Sequence, residues 1–388
     1  MKEIEWISGA AVAAASAPLW HPVEKRVYWS DVAGCRLYRC DPATGTVETV
    51  LDDGRPVGAM TLQADGALLL FRDQANVVVF RDGAIDATVI NGIADYRQTV
   101  FASAVAGPSG NVICSVLSDS HHTGRLLSLD RTGKLTLVAD GFGIPSGLAF
   151  LPDGSAFLFN DAHQTHVVTW RFGYGVADES PAVLDRAVFH ACFDDGDAFP
   201  GAPAGLALAS DGSVLIARHG GAMIVRHAAD GSVAEGVRLP VRRPLGLCFG
   251  GEGLADIFVT TSGGHRKQFD GLHAGELAVL RGGDFRGVAP FVSRIMLSDD
   301  AAMPEAAASA ETAPAPEAVA VEVAAEPAST PALDTAPAEA VAPAVAVPEV
   351  QEAVPAAPLE TPAASSAEAL AESANEEKPV EPTGFVSL

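Results

Sequence analysis

The chain has 388 residues and a formal net charge of −24 at pH 7, with 49 acidic against 25 basic side chains. Binding to nucleic acid requires a basic surface, which this composition lacks. No apolar segment approaches the ~20 residues that would span a bilayer, so we expect neither a nucleic-acid nor a membrane partner.

The first residues are predicted to form a strand and its connection, over residues 3–15. A run of small residues at 9–17 is similar to the core of a signal peptide, but Lys2 is balanced by Glu3 and Glu5, so the positive n-region is absent. Scattered cysteines without CxxC spacing are typical of reduced thiols. We therefore expect a cytoplasmic protein. The cysteines are Cys35, Cys40, Cys114, Cys192 and Cys248.

From residue 16 onward, one pattern recurs six times: a short apolar strand, a tight turn and a second apolar strand. The clearest copy occupies residues 145–159, where Asp153-Gly154 separates two apolar runs and predicts a hairpin. Successive copies begin 41–45 residues apart, except that the fourth-to-fifth interval holds an insertion that includes residues 192–201. A repeat of this length and strand content indicates a propeller or a solenoid.

Six copies predict an all-β fold, a six-bladed β-propeller of four-stranded blades, over residues 1–296. In a propeller the N-terminal strand often joins the last blade and closes the ring, which is the role we expect for residues 3–15. Residues 285–291 are a second candidate for completing the ring.

The composition changes near residue 297. From there to residue 388 the chain is almost entirely Ala, Pro, Glu, Val, Ser and Thr, and from Ala301 it has fifteen acidic residues against Lys378 alone. Repeated proline interrupts helices, and few side chains are large enough to build a core. We interpret residues 297–388 as a disordered acidic tail, which could bind a protein partner.

Aligning the six copies defines one equivalent position in each, at the start of the innermost strand of its blade. Side chains at this position, called the hub position below, are expected to point toward a central channel. Six of them would form a natural ligand cage, and a hard cation there would need several oxygen ligands that include carboxylates. The hub positions are Ser16, Val57, Ala102, Ser146, Ala204 and Leu245.

The repeats resemble the family of senescence marker protein (regucalcin), gluconolactonase and luciferin-regenerating enzyme. The resemblance covers roughly residues 5–295 and is carried best by residues 16–22, 37–45, 56–60 and 249–261. It implies a six-bladed propeller that hydrolyses sugar lactones or related esters with one divalent cation, such as calcium or zinc, in the channel.

The family's metal ligands do not carry over to this sequence. Its Glu in the first copy corresponds to Ser16, its Asn in the fourth copy to Ser146, and its Asp in the fifth copy to Ala204. Two hydroxyls without a carboxylate would not offset the dehydration of a divalent cation, and without the cation there is no Lewis acid. We therefore expect no metal at these positions and a divergent, less active or inactive member.

The family's substrate-contacting residues in the third copy correspond less clearly. Its Asn corresponds to Ala102 or, in a shifted register, to Thr99, and only the shifted register makes Arg97 equivalent to its Arg. Ser16 and Ser146 could hold a substrate hydroxyl or an ordered water, or could simply fill a narrowed channel. No base is placed beside either serine by the sequence, so a serine nucleophile is not supported.

Three loops offer further candidates. His122, close to Asp119, lies in a loop that covers the pocket in the family, and could contact substrate. Asp161 with His163 and His166 could form an alternative metal or acid–base cluster, or a solvated loop. An aspartate-rich loop around residues 194–197 lacks the terminal Glu of a calcium loop and is interpreted as exposed.

Further along the chain, residues 219–221 suggest a turn, and Arg242–Arg243 suggests either a rim charge or an anion contact.

These observations predict a lactonase-type hydrolase with a rebuilt channel, acting on a small molecule such as a sugar lactone. The alternative is a non-catalytic propeller that binds a small metabolite or a protein. The predicted substrate-binding residues are Ser16, Arg97, Ala102, His122, Ser146, Asp161 and Ala204.

Overall fold

A computed structural model describes residues 4–7, 12–96, 99–117, 123–162, 167–177, 180–192, 199–282 and 286–297. Its strands form six sheets of four strands each, and neighbouring strands within every sheet are antiparallel. The first strand of each sheet contacts the first strands of the two adjacent sheets, so six inner strands form a closed ring. The predicted six-bladed β-propeller of four-stranded blades is confirmed.

The strands alternate with short turns, as the sequence repeat predicts. Blade one is β2 (Ala15–His21), β3 (Arg26–Asp31), β4 (Arg36–Asp41) and β5 (Thr46–Leu51). Blade two is β6 (Val57–Leu62), β7 (Leu68–Arg72), β8 (Asn76–Arg81) and β9 (Ala84–Asn91). Blade three is β10 (Phe101–Ala106), β11 (Val112–Val116), β12 (Gly124–Leu129) and β13 (Leu135–Phe142).

The second half of the ring has the same order. Blade four is β14 (Pro145–Phe150), β15 (Ala156–Ala162), β16 (Val167–Ala177) and β17 (Ser180–Cys192). Blade five is β18 (Ala202–Leu208), β19 (Val214–His219), β20 (Met223–His227) and β21 (Val233–Arg238). Blade six is β22 (Pro244–Gly250), β23 (Asp256–Thr261), β24 (Leu277–Leu280) and β1 (Ile4–Ile7), with one short helix, α1 (Lys267–Asp270), between β23 and β24.

The ring is closed by the N-terminal strand. β1 pairs antiparallel with β24, from Ile4 opposite Leu280 to Ile7 opposite Leu277, and so becomes the outermost strand of blade six. The Arg281 guanidinium adds a 2.8 Å ion pair to Glu5 beside this strand pair. The alternative prediction, that residues 285–291 complete the ring, is wrong because β1 already occupies the fourth position.

The insertion between the fourth and fifth copies lengthens blade four. β16 and β17 have 11 and 13 residues and form an extended outer hairpin, whereas the corresponding strands of blade five have five and six. Much of the extra length therefore lies before residue 193, not only in the stretch 192–201 that the repeat spacing singled out.

Residues 286–297, called the closing segment below, cross the end of the channel where the inner strands finish. The segment bonds to the backbone of four blades and packs Phe291 against Phe150 of a fifth, with ring centroids 6.1 Å apart. The hydrogen bonds run from Gly287 N to Leu254 O, Val288 N to Leu208 O, Ser293 N to Leu62 O and Arg294 N to Gly110 O, at 2.8–3.1 Å.

One buried side chain holds the closing segment in register. The amide of Gln63 donates to Ile295 O at 3.3 Å and accepts from Ile295 N at 3.2 Å, so it pairs with the segment as a strand would. Both residues are buried. The other end of the channel, where the inner strands begin, carries the hub positions, and we call it the mouth.

The hydrophobic core lies between the faces of adjacent blades. One cluster joins Ala217 and Ile224 of blade five to Val259 and Ala278 of blade six. Cys40 and Cys114 belong to such clusters, and burial raises the pKa of the Cys40 thiol to about 12. The thiols of Cys35, Cys40, Cys114 and Cys248 are free, as the spacing predicted.

Helices contribute little to the fold. Apart from α1, the described residues contain 3-10 turns at Ala94–Tyr96, Glu252–Leu254 and Gly264–Arg266. Among these residues, no helix has the length and apolar character to cross a bilayer.

The inner strands approach each other most closely at glycines that follow the hub positions. A Cβ at Gly58 would overlap the carbonyl oxygen of Phe101 in the next blade, and one at Gly205 would lie 2.6 Å from the Cα of Gly246. Similar overlaps arise at Gly147. These positions accept only glycine because neighbouring backbones occupy the space of a side chain.

We predict that Gly58→Ala lowers the free energy of unfolding by about 3 kcal/mol, because backbone atoms cannot yield as a flexible side chain can. Gly45→Ala is the control: Gly45 has φ of 72° and no atom within 4 Å of an added Cβ. Strain alone should then cost about 1 kcal/mol. Urea unfolding of both variants tests this, and equal losses would contradict the proposed backbone overlap.

We also predict that Gln63→Ala destabilises the protein by about 2 kcal/mol, since it leaves the buried N–H and C=O of Ile295 without their partner. Gln268→Ala, at an exposed position of α1, should have little effect. Thermal unfolding of the two variants provides the comparison. A Gln63→Ala variant as stable as the wild type would show that the closing segment is not held by this side chain.

Candidate functional site

Each inner strand is interrupted by a β-bulge at its hub position. The pairing register shifts between Val57 and Ala59, between Ser146 and Leu148, and at the corresponding point in the other four blades. A bulge bends its strand and redirects a side chain. The six bulges therefore mark one level of the channel, at the mouth, as the alignment of the repeats predicted.

The hub side chains differ in accessibility. Ser16, Ala102, Ser146 and Leu245 are partly exposed. Val57 and Ala204 are 1% and 4% exposed, and Ala204 packs in the apolar cluster between blades five and six. The mouth thus presents two hydroxyl groups and apolar surface, and Ala204 offers a ligand no side-chain polar atom.

Hydrogen bonds tie the hub of blade four to that of blade five. The Ser146 hydroxyl donates to Pro203 O at 3.3 Å, and the buried amide of Asn160 donates to Ala204 O. The Thr169 hydroxyl in turn donates to the Asn160 carbonyl oxygen at 2.7 Å. These polar groups therefore join the two blades, and Asn160 is one that the sequence analysis did not single out.

Asp161 anchors the backbone that leads into its own blade. It is 1% exposed, and its carboxylate accepts the N–H of Gly143 at 2.9 Å. Asp31 and Asp73 occupy the equivalent position in blades one and two. Asp31 accepts the N–H of Ala14 at 3.4 Å, and Asp73 accepts from the guanidinium of Arg55 at 2.9 Å. In blades one and four, the carboxylate therefore holds a backbone N–H of the segment that leads into the blade.

Several predicted residues fall outside the described residues. Arg97 and His122 are among them, as are His163 and His166, the two partners suggested for Asp161. The aspartates at 194–197 also lie outside, and so does the tail, residues 298–388.

The hub offers a poor oxygen cage for a divalent cation. Across the residues that the structure describes, no group of three or more His, Cys, Asp or Glu side chains is arranged to hold a metal ion. Ser16 and Ser146 supply hydroxyl oxygens, and the carbonyl oxygen of Ala204 is already bonded to Asn160. Calcium and zinc sites in proteins rely on anionic or imidazole ligands, which these three positions lack.

Buried arginines lie directly across the inner strands from the hub. Arg72 pairs with Val57 in the sheet, is 2% exposed and donates to Asp53 at 2.5 Å. Arg218 pairs with Pro203 and is fully buried, with His190 Nε2 at 3.4 Å from its guanidinium. Aligning the second strand of each copy would have found both arginines, since each is opposite a hub position or the residue before it.

A charged cluster lies at the mouth between blades five and six. It comprises His219, Arg242, Arg243, Arg266 and Asp270, and we call it the blade 5–6 cluster. Asp270 is fully buried, with Arg243 Nε at 3.2 Å and Arg266 Nε at 3.9 Å from its carboxylate oxygens. Arg243 therefore has a partner in the protein, while the Arg242 side chain is exposed.

Three elements hold the blade 5–6 cluster in place. The turn after β19 donates from Ala222 N to Arg242 O at 3.2 Å, and Arg242 N donates to Asp270 O at the end of α1 at 2.8 Å. Burial, reinforced by the nearby guanidinium of Arg243, lowers the pKa of His219 below 6.5. This shift favours the uncharged form of the imidazole.

Hydroxyls, guanidinium groups and an imidazole thus lie at one end of a six-bladed ring. The fold defines the chain as a six-bladed β-propeller with polar side chains at the mouth. The SMP-30/gluconolactonase/LRE-like family model matches residues 14–263, which is more than half of the chain. The chain belongs to this family, as the repeats predicted.

Individual relatives agree with this assignment. Pentonolactonase XacC of Haloferax volcanii is 34% identical over 249 residues, which cover 64% of this chain and 81% of that protein. The 6-deoxy-6-sulfogluconolactonase of Pseudomonas putida is 25% identical over 252 residues, covering 64% and 84%. The crystal structure of regucalcin, a calcium-binding protein from Agrobacterium tumefaciens, shares the fold with a TM-score of 0.65 at 17% identity, covering 76% of this chain and 98% of that one.

We predict that Asp161→Ala lowers the free energy of unfolding by about 1–3 kcal/mol, because the N–H of Gly143 loses its acceptor. Asp161→Asn retains a side-chain oxygen and should lose less. Asp140→Ala, at an exposed position, should change stability by less than about 0.5 kcal/mol. Urea unfolding distinguishes the three variants. An Asp161→Ala variant with unchanged stability would show that the carboxylate does not anchor this backbone.

Proposed function

We propose that this protein is a sugar-lactone hydrolase that binds its substrate at the channel mouth, over the hub positions. The observation that carries the proposal is the 34% identity to a pentonolactonase across most of the propeller, combined with a mouth at which Ser16 and Ser146 remain partly exposed. Both hydroxyls can donate to or accept from the hydroxyls of a sugar lactone. The second lactonase relative supports the same substrate class.

The reaction in this proposal is addition of water to the lactone carbonyl carbon. The bond between that carbon and the ring oxygen then breaks, the ring oxygen takes a proton to become a hydroxyl, and a sugar acid leaves. Hydrogen-bond donors aimed at the developing oxyanion would lower the barrier. Of the two hub hydroxyls, Ser16 is the donor that this chain offers at the mouth, since the Ser146 hydroxyl donates to Pro203 O and is left to accept from a sugar hydroxyl.

We infer further that the hub does not hold a divalent cation in the way its family implies. The three corresponding positions carry two hydroxyls and a buried methyl group, and a cation would gain no carboxylate there. The same observation favours a second candidate function, in which the propeller binds a sugar lactone without hydrolysing it. Cytoplasmic location and a protein partner for the tail remain predictions from the sequence.

A panel of pentono- and hexono-lactones tests this proposal. Their hydrolysis is measured from the acid that is released, with and without EDTA. We expect turnover by the wild type that EDTA does not change, because no hub carboxylate binds the cation. The variant Ser16→Glu/Ser146→Asn/Ala204→Asp should instead acquire EDTA-sensitive turnover. The double variant Ser16→Glu/Ser146→Asn is the matched control, since it leaves the buried Ala204 intact.

Loss of wild-type turnover in EDTA would refute the metal-independent hydrolase. If no lactone of the panel is hydrolysed but calorimetry detects lactone binding, the result would instead support the non-catalytic function.

A further inference from the structure

The blade 5–6 cluster carries an excess of positive charge. Arg242, Arg243 and Arg266 bring three guanidinium groups to the cluster, and two of them lie beside its single carboxylate, Asp270. Burial lowers the pKa of His219, which favours its uncharged form. Asp270 is fully buried between Arg243 and Arg266, which supply its counter-charge, although neither carboxylate oxygen accepts a hydrogen bond from a described residue. The exposed Arg242 side chain forms no hydrogen bond or ion pair with any described residue, which leaves its guanidinium available to a ligand.

The cluster is set beside the hub positions. Arg243 precedes the hub residue Leu245 by two positions. His219 lies across the strand pair from Ala202, two positions before the hub residue Ala204. A ligand that reaches the hub of blades five and six therefore lies near these cationic groups.

We propose that the blade 5–6 cluster is a subsite for the carboxylate of a sugar acid. The ligand class rests on the proposed function, since opening a sugar lactone produces such a carboxylate. Guanidinium groups bind carboxylates through two parallel hydrogen bonds, and the ion pairs to Asp270 hold Arg243 and Arg266 in place beforehand. Arg242 supplies the charge that Asp270 does not neutralise, and His219 adds a neutral hydrogen-bonding group.

Calorimetric titration with sodium gluconate tests the subsite without requiring turnover. We expect gluconate to bind and glucitol, the same carbon chain without a carboxylate, to bind far more weakly. Arg242→Gln should weaken gluconate binding about tenfold, as expected for the loss of one charge-assisted hydrogen bond. Arg131→Gln is the matched control, because Arg131 is equally exposed but lies beside the closing segment at the opposite end of the channel.

The ring of His219 provides a second readout. A carboxylate bound beside His219 favours the charged imidazole, so gluconate should raise the pKa of His219 measured by NMR, and glucitol should not. The paired variant Arg243→Gln/Asp270→Asn removes both charges of the Arg243–Asp270 ion pair, so neither of these two groups is left buried and unpaired, and the remaining partner, Arg266, is partly exposed. It should weaken gluconate binding while the protein stays folded.

Glucuronate carries its carboxylate at the opposite end of the carbon chain from that of gluconate. Comparing the two ligands therefore shows which end of a sugar acid the subsite holds. Binding of gluconate or glucuronate that weakens in Arg242→Gln supports the subsite and identifies which end it holds. Failure of both to bind, or equal binding by Arg242→Gln and Arg131→Gln, would overturn it. Gluconate binding without lactone turnover would refute the hydrolase and leave the subsite intact.

Discussion

The propeller depends on the close approach of neighbouring backbones around the channel. At Gly58, Gly147 and Gly205 the next blade occupies the space that a Cβ would need. The inner strands can approach this closely because each one bends at a bulge beside its glycine. One geometric requirement therefore determines both the repeated glycine and the direction of the hub side chain before it.

This packing narrows the mouth and fixes what can surround it. The hub positions carry small or apolar side chains, whereas charges lie one layer further out, on the ends of the second strands and on the loops that follow. Most of these charges have partners within the protein: Asp161 holds a backbone N–H, Arg72 an aspartate, and Asp270 two arginines. Polar groups that remain accessible, chiefly Ser16, Ser146 and Arg242, are the ones available to a ligand.

The sequence predicted the architecture because the repeat records it six times. Turn residues and alternating apolar strands predicted the blades, and the spacing revealed the insertion in blade four. The path of residues 286–297 could not be predicted, because its pairing partners, such as Leu62 and Gly110, lie about 180–230 positions away and no local pattern reports them. Asp161 was selected for its carboxylate, but its burial and its bond to Gly143 depend on tertiary packing. The sequence singled out Arg242–Arg243 as a rim charge or an anion contact, but it could not group these arginines with Asp270 and His219, which are distant in sequence and meet only through the ring.

Closure of the ring by β1 has a consequence for synthesis. β1 leaves the ribosome long before its partner β24, which ends at Leu280. At a translation rate of about 5–20 residues per second, roughly fifteen seconds to a minute separate the synthesis of β1 from that of β24. During that time the edges of the growing sheets are unpaired. Nascent chains of this protein therefore depend on conditions that keep exposed strand edges apart, since the last blade is completed only when nearly all of the propeller has been translated.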